Sequence, residues 1–235
     1  MKWKIEAINV GSYGPVAETV NYFDGDANAS HWLPSLVFAL HSVETGETIV
    51  CDASFSDAEK CSRIMGASAW AVEVKRDKPL PELLKNHGVN VEEVKTVILS
   101  HHHWDHAGGA SYFKNARMYI MKADWDFAMA DETLHPEFKE ELLAIKDQVV
   151  FADEDDASIP GIRMVKVGGH TVGSMLVFVD TPDGEACLGF DNIMCSGNIE
   201  QRRHIGLAYN EQEAKAALEL VLSKGCTCYF GHEMP

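Results

Sequence analysis

The sequence is poor in basic residues, with 20 Lys and Arg against 36 Asp and Glu in 235 residues and a formal charge of −16 with histidine neutral. Nucleic acids and anionic membranes are bound largely through Lys and Arg, so both partners are disfavoured. No apolar run approaches the ~18 residues that a membrane-spanning helix needs. The first residues, Met1 to Glu6, show no apolar core behind their lysines. We therefore expect a cytoplasmic protein without a secretory signal.

Cysteine is also scarce, with six residues and no Cys-x-x-Cys pair. This number is too small for a disulfide scaffold, and the spacing does not indicate a zinc knuckle. We expect these thiols to pack as small hydrophobic groups. No repeat, low-complexity tract or linker divides the chain, which predicts one domain over residues 1–235.

Short apolar segments alternate with amphipathic ones. The strand candidates are Ile5–Val10, Leu36–Leu40, Thr48–Cys51, Val94–Leu99, Met118–Met121, Ile162–Val167, Met175–Val179, Ala186–Phe190 and Thr227–Phe230. The helix candidates are Ser56–Met65, Pro81–His87, Ala123–Ala130, Pro136–Lys146 and Glu211–Leu222. A hairpin turn is expected at residues 182–184, and the acidic stretch 153–156 is expected as an exposed loop. The order predicts an α/β fold of two mixed sheets packed face to face with helices outside.

Four of the eleven histidines lie within the six residues from His101 to His106, directly after an apolar strand candidate. Imidazole and carboxylate are ligands that zinc and similar divalent metals accept. In an extended segment His101 and His103 project to the same side, while Asp105 and His106 begin a turn and can face a second ion. His102 points away from them and is expected to be hydrogen-bonded or on the surface. The following Gly108-Gly109 is expected to let the backbone fold tightly.

The rest of the chain argues against a simple surface run of histidines. His170, Asp191 and His232 each come just after a strand candidate, where α/β sheets place their sites. Seven candidate ligands are too many for one tetrahedral zinc and suit two ions. We assign three histidines to the first ion and Asp191 to a bridge between the ions, since two cations ~3.5–4 Å apart need an anion between them. The first set is His101, His103 and His170, and the second set is Asp105, His106 and His232.

These motifs resemble the metallo-beta-lactamase superfamily over nearly the whole chain. His101-x-His103-x-Asp105-His106 matches its signature, and Gly169-His170-Thr171, Asp191 and Gly231-His232 match its later metal motifs in order. The resemblance implies an αββα sandwich with two divalent metal ions, for which zinc is expected and iron and manganese are alternatives. It also implies that Asp52, at the end of a strand candidate, orients a metal-binding imidazole.

Within the superfamily the chain is most similar to the N-acyl homoserine lactonase group. The resemblance implies a hydrolase that opens a small or acylated lactone by attack of a metal-bridging hydroxide. Asp105 is expected to act in catalysis by passing a proton to the leaving oxygen. The expected partner is a small-molecule substrate, and homodimerisation is left open.

The sequence differs from the lactonase group at one position that bears on substrate binding. Lactonases of this group usually carry a tyrosine three residues after the bridging aspartate, and here that position is Met194. Another donor must then polarise the substrate, and we consider Tyr209 and His204. Trp104, between two candidate ligands, is expected to form an apolar wall of the substrate pocket, with Trp32 contributing from an early loop.

Several alternatives remain open, among them a β-lactamase, which is disfavoured because Asp191 would be an unusual bridging ligand for it, and oxygen chemistry if the metals are iron. A thioester hydrolase of the glyoxalase II type needs the same two metals, although no basic C-terminal region for an anionic thiol carrier is evident. Phosphodiesterases share the signature but are disfavoured by the acidic charge. A metal-containing ligand-binding protein without turnover would also retain these ligands.

Overall fold

The computed structural model describes residues 1–235 and contains two mixed β-sheets, as predicted. The seven-stranded sheet has the order β4-β1-β2-β3-β5-β6-β7. Its strands are β1 (Trp3–Ala17), β2 (Ser30–Ser42), β3 (Thr48–Cys51), β4 (Glu73–Lys75), β5 (Thr96–Ile98), β6 (Arg117–Met121) and β7 (Val149–Ala152). Strands β3, β5, β6 and β7 are parallel to one another. The pairs β4–β1, β1–β2 and β2–β3 are antiparallel.

The five-stranded sheet has the order β12-β11-β10-β9-β8. Its strands are β8 (Asp155–Asp156), β9 (Ile162–Lys166), β10 (Met175–Thr181), β11 (Gly184–Leu188) and β12 (Thr227–Tyr229). Only β11 and β12 are parallel neighbours. The predicted hairpin joins β10 to β11, where Thr181 pairs with Gly184. Within the acidic stretch Asp155 is exposed and forms an ion pair with Arg163 at 2.5 Å, so part of the expected loop is a short edge strand.

The helices cover the outer faces of both sheets. They are α1 (Glu18–Asn21), α2 (Ala58–Gly66), α3 (Leu80–Asn86), α4 (Trp104–Ala107), α5 (Lys122–Ala130), α6 (Pro136–Ala144), α7 (Ser196–Glu200) and α8 (Glu211–Lys224). The end of α8 follows the prediction, since Gly225 adopts the left-handed conformation that glycine favours. No helix combines the length and the apolar character needed to cross a membrane.

Three apolar layers hold the sandwich together. Between the sheets, Phe38 and Ile98 pack with Met164, Val177 and Leu188 in one cluster. A second cluster lies between the large sheet and α3, α5 and α6, and a third lies between the small sheet and α8. Successive side chains of a strand point to opposite faces of its sheet, so each sheet packs against the other sheet on one face and against helices on the other. This is the αββα arrangement.

Candidate metal centre

The candidate ligands meet at one edge of the two sheets. His101 follows β5, which runs parallel to β3, and Asp52 directly follows β3. Asp191 and His232 follow the parallel strands β11 and β12, and His170 follows β9. Because strands that run the same way end at the same edge of a sheet, these loops come together although they are far apart in the sequence.

The first group contains three histidines. The Nε2 atoms of His101 and His170 lie 3.0 and 2.9 Å from Nδ1 of His103. Together with a carboxylate oxygen of Asp191, these atoms all lie within 4.8 Å of one another. Three imidazoles and one carboxylate converge here on a space of the size of a metal ion.

The second group lies beside the first. Nε2 of His106 is 3.5 Å from Oδ2 of Asp105, and Nε2 of His232 is 3.9 Å from the same oxygen. All three side chains are buried. The segment from His101 to His106 therefore supplies ligand atoms to both groups, because it changes from extended chain to helix α4 at Trp104.

Asp191 lies between the two groups and presents one carboxylate oxygen to each. Its Oδ2 is 3.2 Å from Nε2 of His170 and 3.9 Å from Nε2 of His101. Its Oδ1 is 2.9 Å from Nε2 of both His106 and His232. Burial alone would raise the pKa of Asp191, but the facing imidazoles outweigh it and hold this pKa well below its ordinary value. The carboxylate is therefore an anion with four imidazoles around it.

The far nitrogens of the histidines are held by hydrogen bonds. Nδ1 of His170 donates to the carbonyl oxygen of Leu207, and Nδ1 of His232 donates to that of Pro34, each at 2.8 Å. A carbonyl only accepts, so each Nδ1 carries the proton and each Nε2 presents a lone pair to the centre. This is the tautomer in which histidine binds a metal.

The donor set fits divalent cations. Burial and the neighbouring imidazoles hold the pKa values of His101 and His103 well below the ordinary value, so both rings are neutral. Nε2 of His106 and Oδ1 of Asp191 are buried and 2.9 Å apart, yet neither makes a hydrogen bond. Unpartnered buried polar atoms are costly, and a cation between these groups would satisfy them.

Asp52 connects the second group to the large sheet. Its Oδ2 accepts a hydrogen bond from Nδ1 of His106 at 2.7 Å, and its Oδ1 accepts one from the backbone N–H of Ser100 at the same distance. Its backbone has a positive φ of 59°, and its own N–H donates to Ile98. The contact with an imidazole is the one expected from the sequence, and it turns Nε2 of His106 towards the centre.

Gly108 and Gly109 let the backbone pack tightly, as expected, and they do so by close approach to other backbone atoms. Neither has a positive φ. A Cβ atom on Gly108 would lie 2.4 Å from the carbonyl oxygen of Trp104, and one on Gly109 would lie 2.3 Å from that of Ala53. The two glycines are needed because the backbone of this segment packs directly against other backbone, not because the chain turns sharply.

His102 is buried and hydrogen-bonded, which excludes the surface alternative. Its backbone N–H donates to Oδ2 of Asp124 at 2.6 Å, and its Nδ1 lies 2.9 Å from the same oxygen. Oδ1 of Asp124 accepts from the hydroxyl of Thr171 at 2.5 Å and from the N–H of Gly173 at 3.3 Å. Asp124 therefore ties together the loops that carry His101 and His170. Its sequence context, inside helix α5, gave no signal of this role.

We expect Asp124→Asn to destabilise the protein by about 2–3 kcal/mol, the range for losing charge-assisted bonds to a buried carboxylate. The amide would place an N–H₂ group among donors from His102, Thr171 and Gly173. The measurement is the urea unfolding midpoint. Asp126→Asn, on the exposed side of the same helix, is the matched control and should change stability by less than about 0.5 kcal/mol. Equal effects of the two substitutions would contradict the role of Asp124.

A cavity of about 600 Å³ opens directly from the ligands. Trp104 and Met194 line it, as expected from the sequence, and so do Asp105 and Asp191. Most of its other walls are apolar side chains, among them Val16, Val20, Leu33, Ile64, Met65 and Phe138. The rim carries Arg63, which forms an ion pair with Glu137 at 2.8 Å. The shape and lining suit an organic molecule with a polar head at the ligands and an apolar body.

Three residues expected in this pocket lie elsewhere. His204 is buried against Phe23, with ring centroids 4.3 Å apart, and its Nδ1 lies 2.8 Å from the backbone oxygen of Ile205. Tyr209 is 64% exposed and Trp32 is 40% exposed, and neither lines the cavity. The expected pocket position of these three side chains was wrong. His204 and Tyr209 belong to a loop whose Leu207 does line the cavity, and Trp32 lies on β2, so nearness in the sequence did not reveal which side chains line it.

The sequence also missed Tyr13, on β1. Its hydroxyl lies 3.3 Å from Nε2 of His232, and its ring packs edge to face against Trp104 with centroids 5.2 Å apart. Burial, followed by the nearby carboxylates of Asp105 and Asp191, raises the pKa of Tyr13 well above its ordinary value. A lone tyrosine in an N-terminal strand carries no motif, so only the folded chain places it at the centre.

Two helix-flanked mixed sheets, with histidines and aspartates converging where both sheets end, define an αββα-sandwich protein with a candidate metal centre. The family model of the metallo-beta-lactamase superfamily matches residues 32–188, and the chain belongs to this superfamily. Membership implies divalent metal ions, and the two ligand groups are where they would bind.

Curated relatives and solved structures agree with this placement. An N-acyl homoserine lactonase from Bacillus sp is 26% identical over 156 residues, 65% of this chain, and the match spans 61% of that relative's length. A hydroxyacylglutathione hydrolase-like protein from Homo sapiens is 28% identical over 134 residues, 55% of this chain and 40% of its own length. A crystal structure of a B. thuringiensis AiiA variant with N-decanoyl-L-homoserine bound at the active site has a TM-score of 0.82 at 20% identity, covering 100% of this chain and 95% of that one. The likeness of the solved structure confirms the predicted fold.

Proposed function

We propose that this protein is a dinuclear metal-dependent hydrolase that opens an acyl-substituted lactone. The observation that carries the proposal is a single carboxylate, Asp191, with one oxygen facing each of two ligand groups at the end of an apolar cavity. The similarity to N-acyl homoserine lactonases supports the substrate class. Both sheets supply ligands, so we also infer that residues 1–235 act as one domain.

The two groups would hold one ion each. His101, His103 and His170 would bind the first ion, Asp105, His106 and His232 would bind the second, and Asp191 would contact both. Imidazole and carboxylate ligands without any thiolate suit zinc, with manganese and iron as alternatives. When bound, the two ions supply Lewis acidity, which activates water and polarises the ester carbonyl.

The residues of this chain would orient the substrate and move one proton. Hydrolysis joins a water oxygen to the carbonyl carbon and breaks the ring C–O bond, and the leaving oxygen must gain a proton. Asp105 lines the cavity and lies between His106 and His232, so we assign it to take a proton from the attacking water and to pass it to the leaving oxygen. Trp104 forms the wall next to Asp105 and is held by stacking on Phe138, with centroids 6.0 Å apart. This wall shields the reacting carbonyl from bulk water.

The cavity would bind the acyl chain. Its walls beyond Trp104 carry no acidic side chain until the rim, where Asp131 and the Arg63–Glu137 pair lie. Each buried CH₂ group contributes about 0.8 kcal/mol, so longer chains should bind more tightly until the cavity is filled. The AiiA variant that shares the fold holds N-decanoyl-L-homoserine at its active site, which supports a ligand of this shape.

The test is proton release by metal-loaded protein on a panel of acyl homoserine lactones of increasing chain length, simple lactones and acylated thioesters. We expect lactone opening with a KM that falls as the chain grows, and no turnover by protein stripped of metal. The human hydroxyacylglutathione hydrolase-like relative makes thioesters the second class to examine. Faster hydrolysis of thioesters than of any lactone would replace the lactonase proposal, and metal binding without any turnover would favour a ligand-binding protein.

A further inference from the structure

Tyr13 brings a hydroxyl group from the large sheet to the wall that the cavity shares with the candidate ligands. Strand β1 places the ring between Trp104 and His232, with centroids 5.2 and 5.6 Å away, both edge to face. The residue lines the cavity and is 8% exposed. Two aromatic contacts therefore fix the direction of its hydroxyl.

The hydroxyl of Tyr13 lies 3.3 Å from Nε2 of His232, and the carboxylate of Asp105 is a second acceptor within its reach. Because Nδ1 of His232 donates to Pro34, Nε2 is the lone-pair nitrogen and the ligand atom of that residue. Nε2 of His232 and the carboxylate of Asp105 both belong to the second candidate ligand group, so both would be engaged when a metal ion is bound. The hydroxyl of Tyr13 would then be a donor beside the reacting group with neither acceptor free.

The other hydroxyl groups of the cavity lining are already used. The hydroxyl of Ser68 donates to the carbonyl oxygen of Met65 at 2.7 Å, and that of Thr133 donates to the carboxylate of Asp131 at 2.7 Å. Tyr13 is therefore the neutral hydroxyl donor that this cavity can offer to a substrate oxygen near the candidate ligands. A donor held there before the reaction stabilises charge as it develops on the substrate.

We propose that the hydroxyl of Tyr13 donates a hydrogen bond to the carbonyl oxygen of the bound ester and stabilises the negative charge that develops on it. The proton stays on the phenol throughout, and the leaving oxygen takes its proton elsewhere. This inference rests on the proposed hydrolase function. It assigns the polarising role to a residue of β1 in place of Tyr209 and His204.

Met194 offers a way to restore the donor from another element. It lines the same cavity, and its carbonyl oxygen accepts from the backbone N–H of His232 at 2.9 Å. A tyrosine at position 194 would therefore start beside the same histidine. Rescue of a Tyr13 variant by Met194→Tyr would show that the hydroxyl is required, and not the shape of the Tyr13 ring.

The experiment compares the parent protein with Tyr13→Phe, Tyr13→Phe/Met194→Tyr and the control Tyr209→Phe, which removes an exposed hydroxyl outside the cavity. We expect Tyr13→Phe to keep the metal content of the parent while kcat falls about 10²-fold, the usual effect of removing one such donor. KM should rise by no more than about fivefold, the effect of losing one hydrogen bond to the bound carbonyl. The kcat of the double variant should be at least tenfold higher than that of Tyr13→Phe. The kcat of Tyr209→Phe should match that of the parent.

A readout independent of turnover is the affinity for an unreactive γ-lactam analogue, measured by calorimetry on metal-loaded protein. Its carbonyl accepts the same bond, so Tyr13→Phe should weaken binding about fivefold. Thiolactones keep the carbonyl and change the leaving atom, so the loss in kcat should be the same as for lactones. A smaller loss on thiolactones would move Tyr13 to the leaving group and overturn the proposal.

Two other results would overturn it. Unchanged kcat and unchanged lactam affinity in Tyr13→Phe would show that the hydroxyl does not touch the substrate. Loss of metal in Tyr13→Phe, with normal turnover for each remaining loaded site, would show that Tyr13 only holds His232 or Asp105. If the parent opens no lactone, the proposed function fails, and the lactam affinities still decide the role of Tyr13.

Discussion

Asp191→Ala is expected to lower kcat about 10³-fold or more and to reduce the metal content from two ions to one or none. The reason is the position of the carboxylate, since Oδ1 lies 2.9 Å from Nε2 of both His106 and His232 while Oδ2 lies 3.2 Å from that of His170. Without this anion, two divalent cations would repel each other with no negative charge between them. The second group would also keep only Asp105 as an anionic ligand.

The measurement is metal analysis by mass spectrometry together with lactone turnover. Asp191→Asn is the informative companion, because it keeps one oxygen and the shape but removes the charge, and it should retain more metal than Asp191→Ala. Asp180→Ala, at an exposed position of β10 in the same sheet, is the matched control and should change neither quantity. Metal content and rate equal to the parent in Asp191→Ala would reject the bridge between the two groups.

The candidate ligands could be brought together from the sequence because their placement depends on local geometry. The segment from His101 to His106 contains four of them in six residues, and the spacing alone puts His101 and His103 on one side of an extended chain. The others follow strands, and strands that end at one edge bring their loops together whatever the sequence between them. For the same reason Asp52 could be placed beside an imidazole.

The wall of the cavity could not be predicted in this way. Tyr13 reaches the centre because β1 crosses the large sheet next to β2, a pairing that no local pattern specifies. The burial of the Asp124 carboxylate could not be predicted either, because this residue lies among other polar residues of a helix. Conversely, His204 and Tyr209 lie two or three residues from Leu207, which lines the cavity, but their own side chains do not line it. Proximity in the sequence therefore did not predict which side chains line the cavity.

The net charge of the whole chain and the charge of the candidate site differ in sign once metal ions are counted. The whole chain has a formal charge of −16. At the centre, however, five imidazoles surround two carboxylates, and two divalent cations would make this region positive. The acidic surface therefore disfavours polyanions at long range, while a site that held two divalent cations would attract an electron-rich carbonyl oxygen.

Removal of the metal ions is expected to lower the melting temperature by roughly 10 °C or more. An ion present at about 1,000 times its Kd stabilises the folded chain by about 4 kcal/mol, and 1 kcal/mol corresponds to about 2–4 °C for a domain of this size. Without ions, Nε2 of His106 and Oδ1 of Asp191 are buried with no hydrogen-bond partner.

The measurement is thermal unfolding of metal-loaded protein and of protein treated with a chelator, followed by return of zinc, manganese or iron in separate samples. The metal that restores both the melting temperature and lactone turnover identifies the working ion. Asp191→Ala should show a smaller chelator effect than the parent, because fewer ions remain to be removed. Asp180→Ala should show the full effect. A melting temperature that does not respond to the chelator, in protein shown to have lost its metal, would mean that the seven ligands are held in place by hydrogen bonds such as those to Pro34, Asp52 and Leu207 alone.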